Sequence, residues 1–189
     1  MTFKLLDEDG RFLVKLSRQA IEHYLRSRTK LQPPKDSSKV LQEKSGVFVT
    51  LNTFANGQRN LRGCIGYPEP ILPLVEATID AAINSAVKDP RFPPVSFEEM
   101  KDILAEVTVL TPPELIRVAD PRQYLTKIEV GKDGLLVERG YLKGLLLPQV
   151  PVEWKWDIEE FLSNCCMKAG LLPDAWFELK TKVYKFQGL

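Results

Sequence analysis

The order of predicted helices and hairpins constrains the fold more than any other feature of the sequence. Apolar residues from Phe12 to Leu25 recur at helical spacing, and a second stretch of this kind runs from Ile71 to Val87. Between them, Val47 to Leu51 is rich in β-branched residues, and Asn56-Gly57 is typical of a hairpin turn. Helices and hairpins alternate in this way without a regular βαβ rhythm. The order therefore predicts an α+β fold with a mainly antiparallel sheet and flanking helices.

The second half of the sequence continues this pattern. Residues from Ala105 to Leu110 alternate as in a strand, and Ser96 and Glu99 have the spacing of a capping box for a short helix before it. Asp157 is typical of the N-cap of a further helix. Two hairpin-like units lie between these regions, and no internal repeat is evident. A length of 189 residues is sufficient for one substantial domain.

The charge balance and the cysteines narrow the class of protein. The 26 Lys and Arg residues against 25 Asp and Glu residues give a formal net charge of +1, which argues against binding nucleic acid mainly through phosphates. No stretch approaches the roughly 18 apolar residues of a membrane helix, and the first residues lack the apolar core of a signal peptide. The adjacent Cys165 and Cys166 are expected to be structural, because the sequence lacks the paired ligands of a zinc site. We therefore expect a cytoplasmic protein without a membrane segment.

The run Leu61-Arg62-Gly63-Cys64-Ile65-Gly66 is the most unusual local feature. It lies on the returning strand of the predicted hairpin. Alternate side chains of a strand share a face, so Arg62 and Cys64 are expected to project together, with the bare backbone of Gly66 beside them. An arginine and a thiol suit a site for an anion or for thiol chemistry. The run therefore predicts the floor of a binding site, although it equally suits the close approach of another element.

Two further segments supply candidates for the rim of that site. The run Asp89-Pro90-Arg91-Phe92-Pro93-Pro94 contains three prolines, which restrict the backbone and predict a stiff loop displaying Asp89 and Arg91. Glu106 lies on the strand face opposite the apolar residues, so it faces either water or the site. A carboxylate turned into the site is a candidate general base or a partner in an anion clamp.

These segments together resemble the AMMECR family, also known as protein A of the AmmeMemoRadiSam system. The resemblance is carried first by Leu61 to Gly66 and by Asp89 to Pro94, at this spacing. Four other segments match in family order: Val107 to Leu110, Gly131 to Leu135, Leu146 to Val150 and Lys168 to Leu171. The matches span almost the whole chain, so the resemblance implies a single domain of this type over residues 4–187.

The resemblance also implies an architecture and partners. It implies two unequal lobes, the larger carrying both termini, with the motif residues gathered in a cleft between them. It implies association with a Memo-type protein and a radical-SAM protein, and it brings no settled reaction, no cofactor and no metal. The family often has histidine where this chain has Asp133, and the only histidine here is His23 on the first predicted helix.

The candidate site follows from the motifs and the resemblance together. Cys64 is the candidate catalytic residue. The candidate ligand-binding residues are Arg62, Gly63, Gly66, Asp89, Arg91 and Glu106.

Several of these candidates have a structural alternative. Cys64 can be a small buried side chain rather than a nucleophile. Arg62 can form an ion pair with Glu106 or Asp89 rather than clamp an anion. Arg91 can fold back onto Asp89 or a helix end and merely stiffen the loop. If Glu106 faces solvent, it has no functional meaning.

Three functions therefore stay open. The first is binding of a small anionic ligand in the cleft, as an enzyme subunit or as a component of a modification system with the Memo-type and radical-SAM proteins. The second is a non-catalytic module that docks a protein partner in the cleft. The third is association with nucleic acid, against which the net charge argues. The first interpretation requires Cys64 to alkylate faster than the other cysteines.

Overall fold

A computed structural model describes residues 5–34, 36–55 and 57–189 of the chain. The α-helices are α1 (Asp7–Ser27), α2 (Lys39–Gln42), α3 (Leu74–Val87), α4 (Tyr124–Lys127), α5 (Gln149–Trp154) and α6 (Ile158–Lys168). The strands are β1 (Gly46–Ala55), β2 (Gln58–Tyr67), β3 (Ile103–Leu110), β4 (Glu114–Leu115), β5 (Asp133–Arg139), β6 (Leu142–Leu146) and β7 (Lys182–Gln187). Short 3₁₀ helices cover Glu98–Asp102, Pro121–Gln123 and Ala175–Phe177.

The first predicted helix is present as α1 and is longer than its apolar repeat. Its first turn carries acidic residues, and the carboxylate of Asp9 accepts a hydrogen bond from the main-chain N–H of Leu6. Acidic side chains there accept hydrogen bonds from free main-chain N–H groups and interact favourably with the partial positive charge at the N-terminal end of the helix. The helix ends at Arg28, which has a left-handed conformation with φ of 59°. The local start and stop signals therefore extend the helix beyond the periodic stretch.

The predicted hairpin is present in a three-stranded antiparallel sheet of order β2-β1-β3. Asn56 of the predicted turn lies outside the described residues, whereas Gly57 has φ of +75°, a conformation that favours glycine. Helix α3 packs on β1 and β2. The side chains of Val47, Val49 and Leu51 are completely buried in the core beneath it. The small side chains of the alanines in α3 allow this close approach.

The second sheet has four antiparallel strands in the order β4-β7-β5-β6. Helix α6 packs against β5 and β6. Its predicted N-cap is confirmed, because the carboxylate of Asp157 accepts a 2.8 Å hydrogen bond from the N–H of Glu160. Leu135, Phe161 and Trp176 are almost fully buried in the core of this layer.

The chain divides into two compact units. One comprises the residues up to Leu110 together with Leu189, and the other comprises Thr111–Gly188. Each unit has its own hydrophobic core. The predicted α+β class with a mainly antiparallel sheet is confirmed, and the strands form two such sheets. The predicted assignment of residues 4–187 to one domain and the predicted cleft between lobes stay predictions.

No helix of the described residues is long and apolar enough to cross a membrane.

Candidate functional site

Cys64 is held through its main chain at the outer edge of β2. Its N–H donates a 2.8 Å hydrogen bond to the Asp89 carboxylate, and its carbonyl accepts a 3.3 Å hydrogen bond from Arg91 Nη2. Both main-chain groups thus bond to the loop rather than to β1, and β2 is an edge strand of the sheet. The proline-rich loop therefore docks on this edge and covers its free hydrogen-bonding groups. The structure thus joins Cys64 to two predicted site residues, Asp89 and Arg91, that lie 25 and 27 positions away in the sequence.

Asp89 is the centre of this contact. Only 2% of its side chain is exposed, and besides the N–H of Cys64 it binds the main chain and guanidinium of Arg91. The hydrogen bonds from Arg91 hold the pKa of Asp89 well below its usual range, although burial alone opposes this shift. The same pairing raises the pKa of Arg91. Asp89 is therefore an ionised structural anchor, as the alternative in which Arg91 folds back onto it predicted.

Arg62 has a different partner from those predicted. Its guanidinium forms a two-point contact with the carboxylate of Glu99, with Nη2 3.1 Å from Oε2. The expected ion pair with Glu106 or Asp89 is therefore wrong. Glu99 also closes the predicted capping box with Ser96, so its carboxylate lies where β2 passes the short 3₁₀ helix. The hydrogen bonds from Arg62 lower the pKa of Glu99 against the opposing effect of burial.

A β-bulge at Arg62 changes the geometry of the motif. Gly63 lies opposite Leu51 and Leu61 lies opposite Asn52, so Arg62 has no partner residue on β1. A bulge interrupts the alternation of side chains along a strand, and the prediction that Arg62 and Cys64 project together rested on that alternation. Each side chain instead has its own contacts. Only 13% of the Arg62 side chain is exposed.

Packing accounts for both glycines of the motif. A Cβ atom at Gly63 would overlap the carbonyl oxygen of Ser85 on α3, and one at Gly66 would overlap the ring of Phe48 on β1. Gly63 therefore permits the close approach of a helix, and Gly66 lies beneath an aromatic ring rather than presenting bare backbone. The ligand-binding role of these two residues stays a prediction.

Ser85 also contributes to the structure around Cys64, although its sequence context did not predict this role. Its hydroxyl donates a 2.7 Å hydrogen bond to the carbonyl of Val49 and accepts a 2.8 Å hydrogen bond from the N–H of Ile65. The hydroxyl thus bridges β1 and β2 next to Cys64. A serine in a helix gives no local signal of such a role, because the contact depends on how the helix packs.

The thiol of Cys64 lies in a row of side chains that crosses the sheet. Cys64 lies opposite Thr50, and Thr50 lies opposite Glu106. The hydroxyl of Thr50 is 3.3 Å from Sγ of Cys64 and donates to it. Glu106 forms an ion pair with Arg59, and 49% of its side chain is exposed. Glu106 is therefore on the same sheet face as Cys64 but does not touch it.

The remaining chemically distinctive residues lie in the second unit. Cys165 and Cys166 are completely buried, and burial raises the pKa of Cys165 to about 12 and that of Cys166 to about 11. Asp133 is also buried and accepts hydrogen bonds from the N–H of Glu129 and the side chain of Gln187. Among the described ranges, no group of three or more His, Cys, Asp or Glu residues is placed to hold a metal ion.

The two units and the clamped edge strand define a class of protein. It is an α+β protein whose smaller sheet carries a half-buried thiol beside an arginine on a proline-rich loop. A family model named AMMECR1 matches residues 14–189. The chain belongs to the AMMECR1 family.

Archaeal relatives agree with this assignment. Protein PH0010 from Pyrococcus horikoshii is 62% identical over 187 residues, which cover 98% of this chain and 90% of that protein. Protein MJ0810 from Methanocaldococcus jannaschii is 52% identical over 180 residues, which cover 95% of this chain and 88% of that protein. The crystal structure of the uncharacterized protein PH0010 matches with a TM-score of 0.80 and 60% identity, covering 97% of this chain and 91% of that chain. These names state no activity.

Proposed function

We propose that this protein binds a small anionic ligand beside Cys64 and Arg91, as a component of an enzyme system. The observation that carries the proposal is the orientation of the Asp89–Arg91 pair. The carboxylate is buried, whereas 53% of the Arg91 side chain is exposed. The pair therefore presents its cationic end to the surface at Cys64, where a carboxylate or phosphate group is attracted to it.

The surroundings of Arg91 support an anion site. Its Nε and Nη2 are used by Asp89 and Cys64, and in the ranges that the structure describes Nη1 has no hydrogen-bond partner. The Cζ atom of Arg91 lies 5.5 Å from the ring centroid of Phe92, so an aromatic face supports the guanidinium. Holding a cation rigidly in this way lowers the entropic cost of binding an anion.

Cys64 is the proposed ligand contact or nucleophile of this site. Its thiol has a defined donor in Thr50, and its main chain is fixed by the same loop that positions Arg91. The Memo-type and radical-SAM proteins implied by the family resemblance are the proposed partners. Their proposed part is in the reaction that takes place after the ligand has bound.

The binding part of the proposal is tested with inorganic phosphate as the probe. Titration followed by two-dimensional ¹H–¹⁵N NMR is expected to shift the amide signals around Cys64 and Arg91 with saturation. Arg91→Ala is expected to weaken this binding at least tenfold, and Arg117→Ala, at an exposed arginine of the second unit, serves as the control. Shifts that do not saturate, or that persist unchanged in Arg91→Ala, contradict the proposal.

Thiol reactivity provides the second measurement. Cys64 is expected to react with iodoacetamide in the native protein before the buried Cys165 and Cys166, and phosphate is expected to slow that reaction. The sites are identified by mass spectrometry of proteolytic peptides. A Cys64 thiol that reacts only after unfolding removes it as a nucleophile, while leaving Arg91 testable as an anion site.

A docking role is the second candidate, and one observation favours it. Phe54, Leu61 and Leu104 are large apolar side chains with 57%, 42% and 55% of their surface exposed. The register places them on the same sheet face as Cys64, because Leu61 and Leu104 both lie opposite Asn52. If the face docks the Memo-type partner, Phe54→Ser combined with Leu61→Ser is expected to abolish co-purification with that protein. Arg91→Ala, which leaves these side chains intact, is the matched comparison.

A further inference from the structure

The outer edge of β3 and the adjacent face of α1 form an apolar groove within the first unit. The groove has a volume of about 880 Å³. Its apolar lining includes Val14 of α1, Ala105 and Val107 of β3, and Leu189. Val14 and Leu189 have 40% and 56% of their surface exposed. We refer to this surface as the β3 groove.

The strand edge in this groove has free main-chain groups. The N–H and carbonyl of Val109 both bond to Leu189, at 3.1 and 2.8 Å, so these groups point away from β1. Because the β1–β3 register is uninterrupted, the corresponding groups of Ala105 and Val107 point the same way. Within residues 5–34, 36–55 and 57–189, the main-chain N–H and carbonyl groups of Ala105 and Val107 have no hydrogen-bond partner.

Both ends of the free edge are occupied by the protein itself. Arg18 donates hydrogen bonds to the carbonyls of Met100 and Ile103, at 2.7 and 3.0 Å. At the other end Leu189 pairs with Val109 in antiparallel geometry. The free stretch between them offers two outward-facing residues, which is enough for up to four main-chain hydrogen bonds. The edge therefore accepts a short extended segment rather than a long strand.

Charge around the groove specifies the partner further. Arg11 and Lys15 line the groove on α1, are exposed, and form no ion pair within the part of the chain that the structure describes. Arg18 is paired with Glu22, and Asp7 is the one acidic residue of the lining. The lining thus carries more basic than acidic side chains, and it complements a segment that carries acidic residues.

We infer that the β3 groove binds a short extended segment of a partner protein. The segment adds to the sheet as an antiparallel strand next to β3. Alternate apolar side chains enter the groove, and acidic residues contact Arg11 and Lys15. Main-chain hydrogen bonds to Ala105 and Val107 supply the pairing, and the pockets between α1 and β3 supply the specificity. This inference is independent of the anion site at Arg91, because that residue lies on the loop that docks on the opposite edge strand, β2.

A phage-displayed library of random twelve-residue peptides, selected on the purified full-length chain, tests the inference. The selected peptides are expected to alternate apolar and polar residues and to carry acidic residues. Fluorescence anisotropy is expected to show at least tenfold weaker binding to Val14→Glu, at an exposed position of the groove lining. Lys15→Glu is expected to weaken binding severalfold. Val152→Glu, at an exposed position in the second unit, is the control.

Backbone methylation separates strand addition from general apolar binding. N-methylation of alternate amides on one edge of a selected peptide is expected to abolish binding, whereas methylation on the other edge is tolerated. The inference is overturned if no sequence is enriched, if apolar residues recur at helical spacing, or if binding survives Val14→Glu. It is also overturned if the chain sediments as a dimer that Val14→Glu converts to a monomer, because a second copy then occupies the groove.

Discussion

Single side chains hold the loop at Cys64 in place. Asp89 has a nearly unexposed carboxylate that satisfies the N–H of Cys64 and the guanidinium of Arg91 at once. A buried charge of this kind is tolerated only because it is paired and hydrogen-bonded. The stiffness and the charges of the loop could be predicted from its prolines and its composition. The edge of β2 on which it docks could not, because that contact joins residues 25 positions apart.

The lowered pKa of Asp89 predicts how stability depends on pH. A carboxyl group with a lower pKa in the folded state stabilises the fold above its unfolded pKa of about 3.9, and the contribution is lost as the pH falls through the folded pKa. Asp89→Asn is therefore expected to reduce the free energy of unfolding by about 2–4 kcal/mol at neutral pH. The difference from the wild type is expected to shrink below about pH 4. Urea denaturation between pH 2 and 7 measures it.

The matched control for this pH dependence is Asp36→Asn, at an exposed aspartate. It is expected to change the free energy of unfolding little at any pH. A constant difference between the wild type and Asp89→Asn over the whole range would show that Asp89 does not contribute through its charge.

Gly63 provides a steric prediction at the same scale. Gly63→Ala places a methyl group on the carbonyl oxygen of Ser85, a main-chain atom that cannot rotate away. We expect the free energy of unfolding to fall by about 3 kcal/mol, as for overpacked sites. Gly10→Ala is the control, because a Cβ atom there meets no atom within 4 Å and the position is helical. That variant is expected to gain up to about 1 kcal/mol, and equal effects of the two substitutions would refute the packing argument.

At the scale of elements, the helices and strands form where their sequence patterns predict them. The contacts between these elements do not follow from those patterns. The periodic stretches ending at Leu25 and Val87 correspond to α1 and α3, and the alternation from Ala105 corresponds to β3. The bulge at Arg62 has no comparable signal. It arises where β2 must accommodate both the close approach of α3 at Gly63 and the ion pair between Arg62 and Glu99. A pattern with a period of two residues cannot encode such a local interruption.

The bridge made by Ser85 predicts a coupling between α3 and the hairpin. Ser85→Ala leaves the carbonyl of Val49 and the N–H of Ile65 without their shared partner between two strands. We expect a loss of about 2–3 kcal/mol in the free energy of unfolding and faster hydrogen exchange of the Ile65 amide. Ser17→Ala is the matched control, since Ser17 is equally buried but bonds only to Val14 of its own helix. Similar exchange rates for Ile65 in both variants would argue against the bridge.

At the scale of the whole molecule, each compact unit encloses its own core. The core of the first unit includes Leu51 and Ile79, and that of the second includes Leu135 and Phe161. All the predicted site residues belong to the first unit. The length of the chain predicted one substantial domain, which requires a hydrophobic core. Its division into two could not be derived from composition, because burial depends on which elements pack together.

Because the two cores are separate, truncating a buried side chain is expected to destabilise mainly the unit that contains it. Leu51→Ala and Leu135→Ala each remove a completely buried side chain and are expected to cost about 2–5 kcal/mol. In hydrogen exchange followed by mass spectrometry, Leu51→Ala is expected to increase exchange mainly before Leu110, and Leu135→Ala mainly after it. Equal increases throughout the chain in both variants would show that the two cores unfold as one.

The sequence alone determined the α+β class, most of the helices and strands, and the membership of the AMMECR1 family, because periodicity and motifs are properties of neighbouring residues. It also identified the run from Leu61 to Gly66 and the loop from Asp89 to Pro94. Only the tertiary structure decided that Glu99 rather than Glu106 pairs with Arg62. It likewise decided that Asp89 and Arg91 clamp Cys64, and that Ser85 bridges the strands. These contacts join groups distant in the chain, and their energies depend on burial and on geometry that exists only after the elements have packed.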